Sequence, residues 1–231
     1  MTYFSPAQRR LRRSAFFRRF GLVIAAMIAA TAIDRPVYWV LRRVLEIEKP
    51  DVEGEDWWEF LRAFGYLPTW VFIAGTVLLF DRLHADPRRP NRAFTRASVI
   101  LLAPVLSGLA AEVLKVLFAR ERPDGHGGWY HFRPIFSSLF DSGGLGLPSS
   151  HTAVAFGGAW ATALLFPFAR PALLVGAIGC AASRVLAHAH FVSDCVLAAI
   201  VAMVIARALF EATNEGRRPN ASLIDVRRRL G

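Results

Sequence analysis

Residues 98–118 read SVILLAPVLSGLAAEVLKVLF. Only Glu112 and Lys115 carry charge in this stretch, and about 20 apolar residues suffice to cross a hydrocarbon core of roughly 30 Å. Five further apolar stretches, at 20–40, 65–80, 152–168, 171–187 and 191–210, repeat the pattern at lengths near that minimum. The composition agrees: 54% of the 231 residues are hydrophobic, and a soluble chain with a mean hydropathy of +0.35 would leave too much apolar surface uncovered. The expected fold is all-α, a six-transmembrane-helix bundle in a single domain over 1–231.

The same figures exclude a disordered chain, which needs low hydrophobicity, and a disulfide scaffold, which needs more than two cysteines. Cys180 and Cys195 fall in apolar runs and read as small buried hydrophobes. The first stretch contains Asp34, Arg35 and Pro36, but Val37 to Leu41 continue the apolar character past any cleavage point. It reads as a span and not a cleaved signal.

A net charge of +10 invites a nucleic-acid reading, but the arginines come in clumps between apolar segments and form no polar face. Arg9, Arg10, Arg12, Arg13, Arg18 and Arg19 precede the first stretch, and Arg82, Arg88, Arg89, Arg92 and Arg96 separate the second from the third. Arg170 divides the fourth from the fifth, and Arg217, Arg218, Arg227, Arg228 and Arg229 follow the sixth. Six alternating helices put all of these on one side, the cytoplasmic one, with both termini. The acidic segment of Glu46, Glu48, Asp51, Glu53, Glu55, Asp56 and Glu59 falls opposite. The basic N-terminus, 1–19, is either a topology signal or an amphipathic helix on anionic lipid, and 211–231 is a basic cytoplasmic tail. The longest outer segment, 120–148, is rich in glycine and in aromatics (Trp129, Tyr130, Phe132, Phe136, Phe140), which suit an interfacial belt or a lid.

Ionisable groups at membrane depth are expensive and are candidates for function. Here they are Lys115 and Arg122 at the end of the third stretch, His151 at the start of the fourth, Arg184 at the end of the fifth, and His190 and Asp194 at the start of the sixth. Alternation brings these ends to one face, the extracytoplasmic one. Three cations beside Ser149 and Ser150 at a helix N-terminus suit a phosphate dianion. Asp194 lies one turn beyond His190 and can take its Nδ1 proton, leaving Nε2 free to attack phosphorus. His151, from another helix, is left to protonate the departing oxygen and then to activate water. Glu112, one turn before Lys115, reads as a structural partner of a buried cation. His188 is two residues from His190 and so points elsewhere on a helix, which disfavours a shared metal; His126 and His131 read as solvated loop histidines.

Lys115 with Arg122-Pro123 fits KxxxxxxRP, Pro148 to His151 fits PSGH with Ser150 in place of glycine, and Ser183-Arg184 with His190 and Asp194 fits SRxxxxxHxxxD. The three motifs together resemble the type 2 phosphatidic acid phosphatase superfamily, in its membrane-embedded lipid phosphatase branch. The resemblance implies phosphate binding by Lys115, Arg122, Ser149, Ser150 and Arg184, acid catalysis by His151, nucleophilic attack by His190 and orientation of that imidazole by Asp194. It implies no metal and no cofactor, membrane lipids and a lipid phosphate substrate as partners, and no nucleic acid. Undecaprenyl pyrophosphate, phosphatidylglycerophosphate, phosphatidic acid and lipid A phosphates are family-like substrates, and an inner-membrane location with a periplasm-facing site is the expected setting. Two rival readings use the same groups: a lipid phosphotransferase with the same phosphohistidine, and an anion transporter without turnover.

Overall fold

The computed structural model describes residues 6–46, 54–84, 91–134 and 142–213, with side chains from Phe17 onward. The side chains of Arg9, Arg10, Arg12 and Arg13 lie outside the described residues. So do Glu48, Asp51, Glu53, Arg88, Arg89, Phe136, Phe140 and the arginines from Arg217 on. Among the described residues seven α-helices follow in order: α1 Pro6–Trp39, α2 Asp56–Ala63, α3 Leu67–Leu83, α4 Arg92–Phe118, α5 Ser150–Leu165, α6 Arg170–Leu186 and α7 Val192–Ala212. Among the described residues there are no strands, only two isolated antiparallel bridges, Arg120 with Phe132 and Glu121 with Leu145.

Each expected span contains a helix; of the expected six, length and composition by themselves support four or five among the described residues. Four helical stretches, Phe17–Val44, Arg92–Phe118, Pro167–Leu186 and Val192–Ala212, are long and apolar enough to cross a membrane. A fifth results if α2 and α3, bent by 61° at their junction, count as one. The acidic segment was expected as a loop; its end forms α2, where Asp56 and Glu59 sit in the first turn and complement the positive end of the helix dipole. The basic N-terminal stretch is not a separate surface helix. It runs without a break into the apolar part of α1, through Pro36, and a π-helical turn Val40–Val44 follows.

The bundle is apolar outside and polar at selected points inside. Phe72, Leu102, Leu109, Val113, Val175 and Val204 are exposed on α3, α4, α6 and α7, whereas Asp34, Lys115, Arg120, Arg184, His190 and Asp194 are buried. Lipid tails supply no hydrophobic drive between helices, so close approach must come from small side chains. Helix α5 has them: Ala153, Ala155, Gly157, Gly158, Ala159, Ala161 and Ala163 are buried, and it packs against α4, α6 and α7. A Cβ on Gly157 would meet Ala103 O of α4 at 2.9 Å, and one on Gly158 would stand 2.1 Å from the Trp70 ring of α3. Trp70 is fully buried, and its Nε1 donates to Phe64 O at 2.8 Å.

The closeness of this contact sets an expectation for substitution. Gly158→Ala should destabilise the bundle by about 1–3 kcal/mol, the usual cost of overpacking. Gly75→Ala, where nothing lies within 4 Å of the added Cβ, should not. Thermal unfolding of the two purified variants in detergent checks this, and equal midpoints would refute the packing argument.

Candidate active site

Helix α5 begins where Ser149 caps it. The Ser149 hydroxyl accepts from Thr152 N at 3.4 Å and from Thr152 Oγ1 at 3.0 Å, while Ser149 N donates to Asp194 O at 3.2 Å. Its hydroxyl thus caps α5 and its amide ties that helix to the start of α7. The amides of Ser150 and His151 are the first-turn groups that helix geometry leaves without an intrahelical acceptor. Ser150 joins a three-way contact: Lys115 Nζ donates to Glu112 Oε1 at 2.8 Å and to Ser150 Oγ, and Ser150 Oγ donates to the same Glu112 oxygen. Glu112 is thus the partner of a buried lysine, as its position one turn away implied.

His190 lies between α6 and α7, almost wholly buried, and its Nδ1 is 2.9 Å from Gly146 O. Asp194 Oδ2 is 3.5 Å from the same nitrogen. The hydrogen bond that sets the ring therefore goes to the Gly146 carbonyl, with the carboxylate alongside; the expected direct Asp194 bond is the longer contact. Burial lowers the pKa of His190, Asp194 opposing it, so the ring is neutral near pH 7. Gly146 is required by close approach: a Cβ there would stand 3.1 Å from Asp194 Oδ2.

Asp194 itself has two further partners. Its Oδ2 accepts from Phe191 N at 2.8 Å, capping α7, and its Oδ1 accepts from Arg120 Nη2. Arg120 also donates to Ser193 Oγ at 2.7 Å and lies over the rings of Tyr130 and Phe191, at 4.9 and 5.1 Å. Asp34 of α1 completes the group, accepting from Ser193 N and from the Tyr130 hydroxyl, both at 2.8 Å, and from Ser193 Oγ.

His151 is on the first turn of α5. Arg184, Arg62 and Lys115 are the cations near it, and His190 lies beside them. Its buried Nε2 has no hydrogen-bond partner among the described residues, nor has the buried Nε of Arg122. The Tyr66 ring meets the imidazole edge to face at 5.3 Å, and Gly65 lies so close that a Cβ would be 2.9 Å from His151 Cβ. The bend between α2 and α3 thus brings Arg62, Gly65 and Tyr66 over this side of the cluster. His190 counts Arg184 and Arg122 among its own charged neighbours, so Lys115, Arg122, Arg184, His151, His190 and Asp194 are gathered in one place.

Arg120, Asp34, Arg62 and Gly146 escaped the reading of the sequence. Arg120 lies inside the KxxxxxxRP spacing and Asp34 is an acid in the middle of an apolar run; both are the kind of costly polar residue that flags a site. Arg62 and Gly146 carry no such signal. The histidines read as solvated, His126 and His131, meet instead at Glu121. Arg133 first, then His126, hold the Glu121 carboxyl down at about 2.

Known proteins resemble this chain in sequence and in fold. The model of the PAP2 superfamily matches residues 96–218, more than half of the chain. A lipid A 1-phosphatase of Rhizobium johnstonii is 32% identical over 148 residues, which take in 59% of this chain and 58% of that protein. The match thus spans less than two thirds of the relative's length. The crystal structure of a transmembrane PAP2 type phosphatidylglycerolphosphate phosphatase from Bacillus subtilis aligns with a TM-score of 0.57 at 18% identity, covering 90% of this chain and 98% of that one. At that identity the likeness is one of fold. With the three motifs, the helical architecture and the family match in agreement, the chain belongs to the PAP2 superfamily.

Proposed function

We propose that the protein is an integral membrane phosphatase that hydrolyses a lipid phosphomonoester or pyrophosphate through a phosphohistidine on His190. The observation that carries this reading is the buried His190, fixed through Nδ1, with Arg122 and Arg184 as charged neighbours and His151 beside it. A nucleophile, its orienting groups, anion-binding cations and a proton donor are the parts that in-line phosphoryl transfer requires.

In the proposed reaction Nε2 of His190 attacks phosphorus while the bond to the lipid oxygen breaks. Lys115, Arg122, Arg184 and the first amides of α5 balance the charge on the equatorial oxygens, work that a metal ion performs in many other phosphatases. His151 gives its proton to the departing oxygen, then takes one from the water that attacks the phosphohistidine. Phosphate leaves and both histidines return to their starting state. Gly146 O and Asp194 hold the His190 ring, and Arg120 acts through Asp194 as a positioning residue.

Two surfaces support a lipid substrate. An apolar groove of about 430 Å³ between α1, α5, α6 and α7 is lined by Val37, Phe156, Ile178, Val185, Val192 and Val196. Its residues Val185 and Val192 adjoin Arg184 and Ser193 in the chain. A polar cavity of about 870 Å³, lined among others by Arg35, Trp39, Arg42, Gly128 and Trp129, offers room for a headgroup larger than the reacting phosphate. The lipid A 1-phosphatase relative puts a phosphorylated glycolipid first among the candidates, ahead of phosphatidylglycerophosphate, phosphatidic acid and undecaprenyl pyrophosphate. The site faces away from the cytoplasm and both termini face it, a reading that rests on the arginine clumps.

Phosphate release by the purified protein across a panel of these lipids and a small chromogenic ester tests the reading. Release is expected with at least one lipid in preference to the small ester, abolished in His190→Ala and partly retained in Asp194→Asn. His151→Ala should slow turnover by about 10²–10⁴-fold, most for poor leaving groups. Full rates in His190→Ala, or label passing to a lipid acceptor in place of water, would overturn it.

Arg120→Ala leaves buried carboxylates without their cation. It should lower the stability of the bundle by about 3–5 kcal/mol and reduce kcat more than it changes KM. Chemical unfolding with parallel kinetics measures both, and a stable variant with normal kcat would remove Arg120 from this role.

For orientation, a cysteine introduced at Gly127 should react with a membrane-impermeant thiol reagent in intact cells, and one at Asn91 should not. The native Cys180 and Cys195 are buried and give a low background. The reverse pattern would invert the assignment.

A further inference from the structure

We propose that Glu121, His126 and His131 form a binding site for a divalent transition-metal ion of the zinc class, separate from the phosphate-binding cluster. Three segments of the outer loop bring the ligands together. Glu121 follows α4 and its backbone N donates to His131 O at 2.9 Å; His126 ends the 3-10 turn Pro123–His126; His131 lies on the returning segment that bridges back through Phe132. His126 Nε2 and His131 Nδ1 both contact Glu121 Oε2, the latter at 2.9 Å, and the three ligand atoms lie within 4.8 Å of one another.

The spacing suits a tetrahedral ion. With metal–ligand bonds of about 2.0–2.2 Å, the ligand atoms of such a site stand roughly 3.3 Å apart, so these atoms need only small shifts to enclose one. Two imidazoles and a carboxylate leave a fourth position for water. Arg133 Nε donates to Glu121 Oε1 at 2.5 Å, which fixes the carboxylate and turns Oε2 toward the histidines.

The two imidazoles stack at 4.2 Å with an interplanar angle of 20°, so that one nitrogen of each ring is directed to the same carboxylate oxygen. The ion would tie the segment carrying Arg122 to the 3-10 turn and to the returning segment, stiffening the loop beside the cations proposed to bind phosphate. The proposal stands apart from the hydrolysis reading, because binding is measured without turnover.

The test uses the full chain with its affinity tag removed, stripped by chelator and titrated with zinc alone. Wild-type protein should bind one equivalent and show a raised thermal midpoint. The double variant His126→Ala/His131→Ala should lose both effects, while its midpoint without zinc stays near that of the wild type, because His131 is 56% exposed and His126 34%. His84→Ala, an exposed histidine elsewhere, should keep them. Cobalt in place of zinc should give the visible absorption of a low-coordinate site in wild type and not in the double variant. Failure of the wild-type protein to bind an equivalent, or its retention by the double variant, would overturn the proposal.

Discussion

The contact between Arg120 and Asp194 is the one on which most of the polar interior depends. Asp194 caps α7, flanks His190 and accepts from Arg120; Arg120 reaches Ser193, which Asp34 of α1 holds in turn. A single guanidinium thus joins the end of α4 to the start of α7 and, through Ser193, to α1. In a bundle that gains nothing from pressing apolar faces together, a charged knot has a further property: separating its members leaves uncompensated charge in a poorly solvating interior. The knot therefore selects one arrangement of these three helices, while the alanine and glycine surface of α5 lets the others close around it.

The proposed chemistry uses the same knot. Attack by His190 needs a neutral ring in a fixed tautomer. Burial supplies the first condition and the Gly146 carbonyl, 2.9 Å from Nδ1, supplies the second. The loop that carries Gly146 is positioned by its own backbone, with Gly146 N donating to Arg120 O at 2.7 Å and Arg122 N to Gly144 O at 2.9 Å. One short length of chain, 120–122, thus provides the cation that holds Asp194, the carbonyl that anchors the loop, and an arginine facing His190.

Much of this was legible in the sequence because charge in an apolar run is conspicuous. Lys115, Arg122, His151, Arg184, His190 and Asp194 stand out for that reason, and the alternation of helices was enough to place them together. Glu112 was legible as a partner because one helical turn is a short-range relation. Asp34 was visible as an oddity but not as a partner, since its contacts lie 159 residues away at Ser193 and cross from α1 to α7. For Ser149 the sequence marks a helix start, and the structure adds that its hydroxyl caps α5 by accepting from Thr152. The Gly146 carbonyl could not be read, as backbone acceptors leave no mark on a sequence. The number of spans is less legible: α3 and α5, with 17 and 16 residues, are shorter than the four helical stretches long and apolar enough to cross a membrane, so length and composition alone support four or five.

That short helix has a consequence for water. The 16 residues of α5 rise about 24 Å, against about 40 Å for the 27 of α4 packed beside it. The first turn of this short helix carries Ser150 and His151, with Lys115 and Arg184 close by. In the proposed reaction a phosphate reaching that turn exchanges much of its hydration shell for fixed cations and amide dipoles. Such an environment needs little reorganisation as charge shifts during bond breaking. Under the proposed function the same exchange favours a headgroup whose chains stay among the helices, because a freely diffusing ester has no comparable force holding it at that turn.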